Sequence, residues 1–342
     1  MTTPLSTRPP SEVAVPGAAD VANSVRGQVW TPTGSHPVHS VDDVRRALSF
    51  PATRVWVDLE SAPEAVLTEL AECLSLHPLI VEDIIERNQR AKVDITGDTM
   101  HLVMFALRYE SELDMTEIDI VLSRRFLLTS HPEGWRPTDI DNVRRMGADH
   151  FLAQGTDFML YAVVDALVDG YFPVMDSLGN QIDELEDEVI RQPSKPIVEK
   201  LFQVRRSLLE VRHTVSPERE VFNQLTNREM PLISPDRIIY FRDVYDHLIR
   251  ITDELDSYRE LVSGALEAYL STINNNLSEI MKRLTAITAV LAGVGAVAGI
   301  FGMSEAGTAF DFHEGGGFWF VTLGCLVFAM AIFFYFRRIN WI

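Results

Sequence analysis

Polar and small side chains recur at helical spacing on one face of the segment that leads into two apolar runs near the C-terminus. The face begins with an acid, continues with an amide, hydroxyls and a methionine, and ends in glycines. Oxygen-bearing side chains that give way to small ones are what a cation pathway into a membrane requires. Its members are Glu267, Asn274, Ser278, Met281, Thr285, Thr288, Ala292, Gly295 and Gly299. The last two also form a small-xxx-small pair, so pore lining and helix packing both stay open for them.

A second set of chemically useful residues lies in the stretch FGMSEAGTAFDFHEGGGF, which separates the two apolar runs. It holds three acids and one histidine, His313, but no lysine or arginine. Carboxylates in such a place raise the local concentration of cations. The acids are Glu305, Asp311 and Glu314. We expect this stretch to meet incoming cations.

Signatures of enzymes are absent from the sequence. No HExxH pair, Walker-type glycine loop or nucleophile elbow occurs, which argues against an enzyme. His77 and His247 could each ligate a metal, but an isolated histidine more often serves as a structural hydrogen-bonding residue. The 49 acidic and 30 basic residues give a net charge of −19. That balance argues against nucleic acid as a partner and is compatible with gathering cations.

Two further compositional features bear on the environment of the chain. Asp176–Ile190 contains six acids and no base, which favours a solvated helix face, with a weak cation-attracting surface as the alternative. The two cysteines, Cys73 and Cys325, lie in a predicted soluble helix and in an apolar run. We therefore expect no disulfide between them, and a reducing cytoplasm fits.

Two uncharged runs are long enough to cross a bilayer. Leu284–Phe301 holds 18 residues without a charge and Phe318–Phe336 holds 19, and a hydrocarbon core needs about 20. A Lys-Arg pair precedes the first run and an Arg-Arg pair follows the second. The positive-inside rule then places both termini in the cytoplasm. Residues 302–317 form an extracytoplasmic loop, and residues 337–342 form a basic cytoplasmic tail.

One long helix should connect the soluble part to the membrane. Ser234 can cap it, Pro235 suits its first turn, and no proline follows. We predict a helix over residues 235–301, with 284–301 in the membrane, roughly 100 Å long at the helical rise per residue. An apolar stripe from Tyr240 to Leu284 repeats about every 3.67 residues, so the helix has partners along its length. Because two spans cannot enclose a pore, a homo-oligomer is required.

The soluble part divides into three regions by composition and periodicity. Residues 1–27 are rich in proline, serine and threonine and predict a disordered tail. Residues 28–150 predict an α+β domain, with a strand at VWVDL, a helix at APEAVLTELAECL and strands at TMHLVMFALRYE, EIDIVLS and RFLLTSH. Residues 151–234 are predicted to be helical, with a break at residues 192–194. The fold class is an α+β cytoplasmic domain followed by long helices and a two-span transmembrane helical hairpin (residues 284–301 and 318–336).

With these elements in place, the sequence resembles the CorA family of divalent-cation channels from about Val55 to Ile342. The resemblance rests on VWVDL, LHPLIVEDIIERNQRAKVD, RRSLLEVRHTVSPEREVF, IYFRDVYDHLIRITDELDSYRELVSGALEAYLSTINNNLSEIMKRL and AGIFGMS. It implies a funnel-shaped homopentamer in the cell (plasma or inner) membrane. Five long helices would line the pore, and the second span would pack outside them.

The resemblance also assigns roles to single residues of the pore. The family's Gly-Met-Asn turn, whose asparagines bind a hydrated ion, here reads Gly302-Met303-Ser304, and serine offers an oxygen on a shorter arm. Met281 and Leu284 match the apolar gate. The implied pore and ion-capture residues are Gly302, Met303, Ser304, Glu267, Asn274, Ser278, Thr288 and Gly299. The chain departs from the family pattern, in ways that bear on ion selectivity, at Ser304, Ser278, Ala292, Gly293 and Gly295.

Regulatory metal sites follow from the same resemblance. It implies that Asp83 and Asp243 of neighbouring subunits bind metal together. Close carboxylates repel each other unless a cation lies between them, so metal would hold the channel shut in a replete cell. The alternative is that either acid caps a helix or pairs with a nearby arginine such as Arg242.

These features predict uptake of Mg²⁺, with Co²⁺ or Ni²⁺ as further substrates, through a channel gated by intracellular metal. Mg²⁺ is then both substrate and regulatory ligand. One alternative is a transporter of Zn²⁺ or another transition metal from the same superfamily, which would favour histidine or cysteine ligands. The outer loop offers only His313, so Mg²⁺ is favoured. The other alternative is a membrane-tethered metal sensor that does not conduct.

Overall fold

The computed structural model of the chain describes residues 24–137, 141–191, 193–227, 230–302 and 316–338. Within it, one compact unit spans Met1–Asp183 and Phe202–Val262, and a second spans Glu184–Leu201 and Ser263–Ile342. The first unit contains a mixed sheet with helices, and the described residues of the second unit form helical segments.

Seven strands form the sheet of the first unit, in the order β2-β1-β3-β7-β6-β5-β4. Neighbouring strands are antiparallel except β3 and β7, which run parallel. The first strand begins at Val25, inside the segment predicted to be disordered. The strands are β1 Val25–Thr31, β2 Gly34–Val38, β3 Arg54–Glu60, β4 Lys92–Thr96, β5 Thr99–Tyr109, β6 Leu113–Ser123 and β7 Phe126–His131.

Helices α1 (Val41–Leu48), α2 (Glu64–Leu74) and α3 (Pro78–Glu86) contribute to one hydrophobic core with β1, β2, β3, β6 and β7. The central strands β3 and β7 are buried along nearly their whole length because both edges and both faces are covered. His77 caps α3, since its Nδ1 accepts a hydrogen bond from the Leu79 backbone N–H at 3.2 Å. His77 therefore has the structural role that an isolated histidine most often has.

The remaining helices follow the sheet in the chain. The helical pattern predicted without interruption over residues 157–190 is divided at Gly170, between α6 and α7. Pro235–Arg237 form a short 3-10 turn before the last long helix, and the Ser234 side chain makes no capping hydrogen bond. Instead, the Ser234 backbone N–H donates to Asp157 Oδ2 at 3.0 Å. The helices are α4 Asp141–Met146, α5 Ala148–Gln154, α6 Thr156–Asp169, α7 Tyr171–Arg191, α8 Lys195–Asn227, α9 Ile238–Gly302 and α10 Gly316–Arg338.

A buried carboxyl group closes an open edge of the sheet at β5. Strand β4 pairs with β5 only as far as Lys92 opposite Val103. Two residues further on, the Phe105 backbone N–H donates to Glu218 Oε1 at 3.0 Å, and the Tyr171 hydroxyl donates to the Phe105 carbonyl at 2.5 Å. The same hydroxyl lies 2.9 Å from both Glu218 oxygens. Side chains from α7 and α8 thus take the place of the missing strand.

The apolar stripe of α9 is covered in one unit and uncovered in the other. In the first unit most of its members are buried, as Val244, Leu248 and Leu255 show with no exposed surface, while Tyr240 at its start is 37% exposed. In the second unit Leu277 is 56% exposed and Leu284 55% exposed. A stripe of large apolar residues this exposed requires a further partner, either protein or lipid.

The described part of the second unit includes a helix pair in which one glycine permits close approach. A methyl group placed on Gly293 of α9 would overlap the Phe328 ring of α10, whereas Gly295 and Gly299 have nothing within 4 Å of such a methyl. Within one chain, packing therefore uses Gly293. Gly295 and Gly299 stay free to line a pore or to meet another subunit.

Among the residues that the structure describes, two stretches of helix pass a test of length and apolar composition for crossing a membrane. Thr156–Arg191 passes this test, but 67% of its apolar window is buried inside the protein, as expected for a core helix. Pro235–Gly299 also passes, and only 6% of its window is buried. Helix α10 contains the 19-residue uncharged run, and its Leu323 is 62% exposed. We take α9 and α10 as the membrane-spanning helices, because much of their apolar surface stays exposed in the described chain.

Candidate functional site

Three metal-ligating side chains of the first unit converge between α6 and α9. Asp165 and Asp169 lie one turn apart on α6, and His247 is on α9. One ligand atom of each lies within 4.8 Å of the others, and His247 Nδ1 is 3.4 Å from Asp169 Oδ1. Two carboxylate oxygens and one imidazole nitrogen form a donor set that suits divalent ions.

The surroundings of the two aspartates in this cluster disfavour their ionised forms. Burial, together with the negative charges of Asp169 and Asp243, raises the pKa of Asp165 to about 6. The pKa of Asp169 is raised as well, chiefly by burial and also by Asp243, while His247 opposes the shift. Carboxyl groups with raised pKa values in a shared site are held in an environment that disfavours their charge. A bound divalent ion would compensate that charge.

The two acids implied as metal ligands have different partners in the structure. Asp243 acts on Asp165 and Asp169 through its charge, so it lies near the cluster. Asp83, on α3, forms an ion pair with Lys92 at 2.7 Å. Neither of these relations is the helix cap or arginine pair considered as the alternative for the two acids. Their joint metal site between subunits remains a prediction.

Sequence reasoning missed the two α6 ligands and assigned His247 a structural role. Asp165 and Asp169 stand four residues apart in the largely apolar segment DFMLYAVVDALVD. Two acids at this spacing lie on one face of a helix and would be costly to bury without a partner. That spacing was the available signal, but nothing in the sequence shows that α9 places His247 beside them.

The predicted pore face lies on the second-unit part of α9 and is exposed in the single chain. Met281 is 54% exposed and Leu284 55% exposed, and no other described part of the chain covers them. The Thr288 hydroxyl donates to the Leu284 carbonyl at 2.8 Å, so its proton is engaged within the helix while its oxygen can still accept. The other exposed members of the face are Glu267, Asn274, Ser278, Thr285, Ala292, Gly295 and Gly299.

The predicted outer ion-capture turn is described only at its first residue. Helix α9 ends at Gly302. The other predicted residues of this turn and loop, Met303, Ser304, Glu305, Asp311 and Glu314, lie outside the described residues. Their roles remain predictions from the sequence.

Comparison with known proteins agrees with this arrangement. Residues 52–338 match the family model described as CorA-like Mg²⁺ transporter protein. The cobalt/magnesium transport protein CorA of Thermotoga maritima is 34% identical over 269 residues, 77% of this chain and 77% of that protein. The zinc transport protein ZntB of Yersinia pseudotuberculosis is 22% identical over 335 residues, 95% of this chain and 98% of that protein.

A solved structure shares the fold. The complete structure of the CorA magnesium transporter from Methanocaldococcus jannaschii aligns with a TM-score of 0.76 at 21% sequence identity, over 93% of this chain and 98% of that one. Helix α9, with its oxygen-bearing face, and helix α10 lie within the matched family region. The chain is therefore a membrane protein that belongs to the CorA-like Mg²⁺ transporter family.

Proposed function

We propose that the chain forms a homopentameric channel that admits Mg²⁺, and also Co²⁺, into the cell. The exposed face of α9 carries this proposal. There, the polar side chains of Glu267, Asn274 and Ser278 lead to Met281 and Leu284 at the membrane. A helix whose exposed face runs from polar side chains to apolar ones where it enters the membrane is suited to line a shared axis. The family to which the chain belongs contains proteins named as cobalt/magnesium transporters.

Five copies of this face would supply the parts that a cation channel needs. Glu267 would form a ring of acids that concentrates cations at the cytoplasmic side. Met281 and Leu284 would form an apolar constriction that closes by excluding water. Ser304, with Gly302 and Met303, would receive the hydrated ion at the outer mouth, since Mg²⁺ loses its waters reluctantly. Both termini would lie in the cytoplasm.

Regulation by intracellular metal is proposed at the cluster of Asp165, Asp169 and His247, with Asp243 close by. Without a cation, burial and then the charges of neighbouring carboxylates disfavour the ionised forms of Asp165 and Asp169, whose pKa values are raised. A bound ion would replace repulsion by attraction and hold α6 and α9 together. Loss of metal would then loosen the helix that lines the pore. Asp83 would contribute a further regulatory ligand.

Transport of Zn²⁺ is the second candidate, because His247 brings a nitrogen ligand to the cluster. Zinc binds imidazole more readily than Mg²⁺ does. The similarity to a zinc transport protein is weaker, at 22% identity, than the 34% to a cobalt/magnesium transport protein. We therefore favour Mg²⁺ and Co²⁺ as substrates.

Uptake into proteoliposomes tests the proposal. The purified full chain is reconstituted with an inside-negative potential, and influx of Mg²⁺, Co²⁺, Ni²⁺ and Zn²⁺ is measured with and without Mg²⁺ on the cytoplasmic side. We expect influx of Mg²⁺ and Co²⁺ that cytoplasmic Mg²⁺ suppresses. Binding without influx would identify a sensor, and influx of Zn²⁺ alone would identify a zinc transporter.

The double variant Asp165→Asn/Asp169→Asn tests regulation in the same assay. It removes two charges from the cluster, so suppression by cytoplasmic Mg²⁺ should require at least about tenfold more Mg²⁺. Asp98 is exposed, so the variant Asp98→Asn serves as the matched control and should behave as the wild type. Unchanged suppression in the double variant would exclude the cluster as the regulatory site.

A further inference from the structure

A second group of metal-ligating side chains lies between α3 and one face of the sheet in the first unit. His101 on β5 is directly opposite Asp94 on β4, and Asp119 on β6 is directly opposite Val103. Because residues two apart share a face of a strand, His101 and Asp119 point to the same side. Asp83 of α3 reaches this face, since its Oδ2 lies 3.8 Å from His101 Nδ1.

A buried carboxylate fixes the orientation of the His101 ring. His101 and Asp119 are both fully buried, and His101 Nε2 lies 2.9 Å from Asp119 Oδ1. Since a carboxylate oxygen only accepts, Nε2–H is the donor. In the neutral ring, Nδ1 then carries a lone pair. Among the described residues, Nδ1 has no hydrogen-bond partner.

The lone pair of His101 Nδ1 points toward another acceptor. Its neighbour, Asp83 Oδ2 at 3.8 Å, is too distant for a direct hydrogen bond. Two electron-pair donors that face each other across such a gap are stabilised when a cation lies between them. A metal ion about 2.1 Å from each atom would be close enough to bind both.

A lysine ammonium already marks a cation position beside these atoms. Lys92 Nζ lies 2.7 Å from Asp83 Oδ2 and 3.4 Å from Asp94 Oδ2. The Lys92 side chain is 30% exposed and Asp94 is 56% exposed, so both have room to move. A divalent ion that displaced the ammonium would find the Asp83 carboxylate, with His101 and Asp94 adjacent.

We propose that Asp83 and His101 bind a borderline transition-metal ion, Co²⁺, Ni²⁺ or Zn²⁺, which displaces Lys92 and draws in the exposed Asp94 side chain as a third ligand. A metal-binding histidine usually donates its other N–H to a carboxylate, and Asp119 stands in that place as a positioning residue. A nitrogen ligand favours these ions over Mg²⁺, which binds oxygen almost exclusively. The Lys92 ammonium returns to solvent when the ion binds.

This site is separate from the cluster of Asp165, Asp169 and His247. At this site Asp83 would bind transition-metal ions in preference to Mg²⁺. Its effect on transport rests on the proposed regulatory function of Asp83. Metal binding itself does not depend on that function and can be measured without transport. A channel regulated through both sites would respond differently to cytoplasmic Co²⁺ and Mg²⁺.

Calorimetric titration of the full-length protein in detergent with CoCl₂ and MgCl₂ tests the binding. All variants carry Asp165→Asn and His247→Gln, which weaken the other cluster. His101→Gln removes Nδ1 but keeps a side-chain N–H that can donate to Asp119. We expect Co²⁺ affinity to fall at least about tenfold while Mg²⁺ affinity stays the same. The exposed His36→Gln is the matched control and should change neither.

Two further variants keep the test decisive if His101→Gln fails to fold. Asp119→Asn loosens the ring orientation and should lower Co²⁺ affinity about 10- to 100-fold. Lys92→Met removes the competing ammonium and should raise Co²⁺ affinity. Co²⁺ affinity that is unchanged in Asp119→Asn and Lys92→Met would overturn the site.

Transport separates this proposal from the regulatory one. In proteoliposomes made with His101→Gln alone, suppression of influx by cytoplasmic Co²⁺ should weaken and suppression by Mg²⁺ should persist. If Co²⁺ binding is lost but suppression by Co²⁺ is unchanged, the site exists and the regulatory role of Asp83 is wrong. If binding is unchanged, the site is wrong whether or not the channel conducts.

Discussion

Glu218 carries a proton over a range of pH in which an exposed glutamate would be ionised. Its side chain is fully buried, and burial raises its pKa from 4.5 to about 8. In the protonated form, a closed ring of hydrogen bonds is available. Phe105 N–H donates to Oε1 of Glu218 and the Tyr171 hydroxyl donates to the Phe105 carbonyl, so a proton on Glu218 Oε2, 2.9 Å from that hydroxyl, would complete the ring by donating to it. An ionised Glu218 cannot donate and breaks the ring.

The free energy of unfolding should therefore depend on pH through Glu218. Because its pKa is higher in the folded chain, the stabilisation is complete below pH 4.5 and is lost as the pH rises through about 8. The total change is at most about 5 kcal/mol. Glu218→Gln keeps the neutral donor and acceptor, so its stability should vary less between these pH values. Thermal unfolding from pH 5 to pH 9 measures the difference.

Glu117 has to be considered in the same experiment. Burial, together with the charge of Asp119, raises its pKa to about 7, so it contributes loss of stability in the same direction. The informative quantity is the slope of stability against pH, compared between wild type and Glu218→Gln. Parallel curves for the two proteins would contradict the assigned role of Glu218.

At the scale of elements, the membrane hairpin depends on the absence of a side chain at one position. A methyl group on Gly293 would overlap the Phe328 ring. Gly293→Ala should therefore lower the thermal stability of the hairpin, despite a gain in helix propensity of about 1 kcal/mol. Adding Phe328→Ala should restore part of it, because the space is then open. Thermal unfolding in detergent measures both.

The control for this pair lies on the other helix. Gly324 on α10 has nothing within 4 Å of an added methyl group. Gly324→Ala should be neutral or slightly stabilising. An equal loss in Gly293→Ala and Gly324→Ala would show that helix geometry, and not the contact with Phe328, sets the effect.

The proposed gate lies in one turn of α9. Met281 and Leu284 are exposed at the N-terminal end of the uncharged run, on either side of Lys282 and Arg283. Met281→Ser should let water enter the proposed constriction, so Mg²⁺ influx should persist at high cytoplasmic Mg²⁺. Met281→Leu keeps the apolar surface and should stay closed. Closure of the serine variant would place the gate elsewhere.

At the scale of the whole molecule, the uncovered surface of α9 fits the proposed assembly of several copies of the chain. Leu277, Ile280 and Leu284 are each more than half exposed, and the oxygen-bearing residues beside them are exposed as well. A homopentamer should have a mass of roughly 190 kDa, five times the 38.5 kDa of one chain. Native mass spectrometry after detergent removal measures it. A monomer or dimer as the largest species would contradict the pore proposal.

Much of the architecture follows from patterns that are local in the sequence. The strands at VWVDL, TMHLVMFALRYE, EIDIVLS and RFLLTSH were predicted and are present, as is the helix at APEAVLTELAECL. The long helix before the loop was also predicted. A long uncharged segment or a regular spacing of apolar residues indicates burial or contact with lipid. Both can be recognised without knowing which other elements pack against the segment. Short exposed β2, of sequence GSHPV, lacks such a pattern and was missed.

Only the tertiary structure shows which candidate metal ligands lie close together. Asp165 and His247 are more than 80 residues apart in the sequence, and only the packing of α6 on α9 brings them together. The sheet register places His101 beside Asp119, and α3 brings Asp83 to them. The sequence by itself determined the family, the membrane helices and the oxygen-bearing face, because these are repeated along one element. It left the ligand sets open, because a metal site joins single residues of different elements and leaves no periodic signal in any of them.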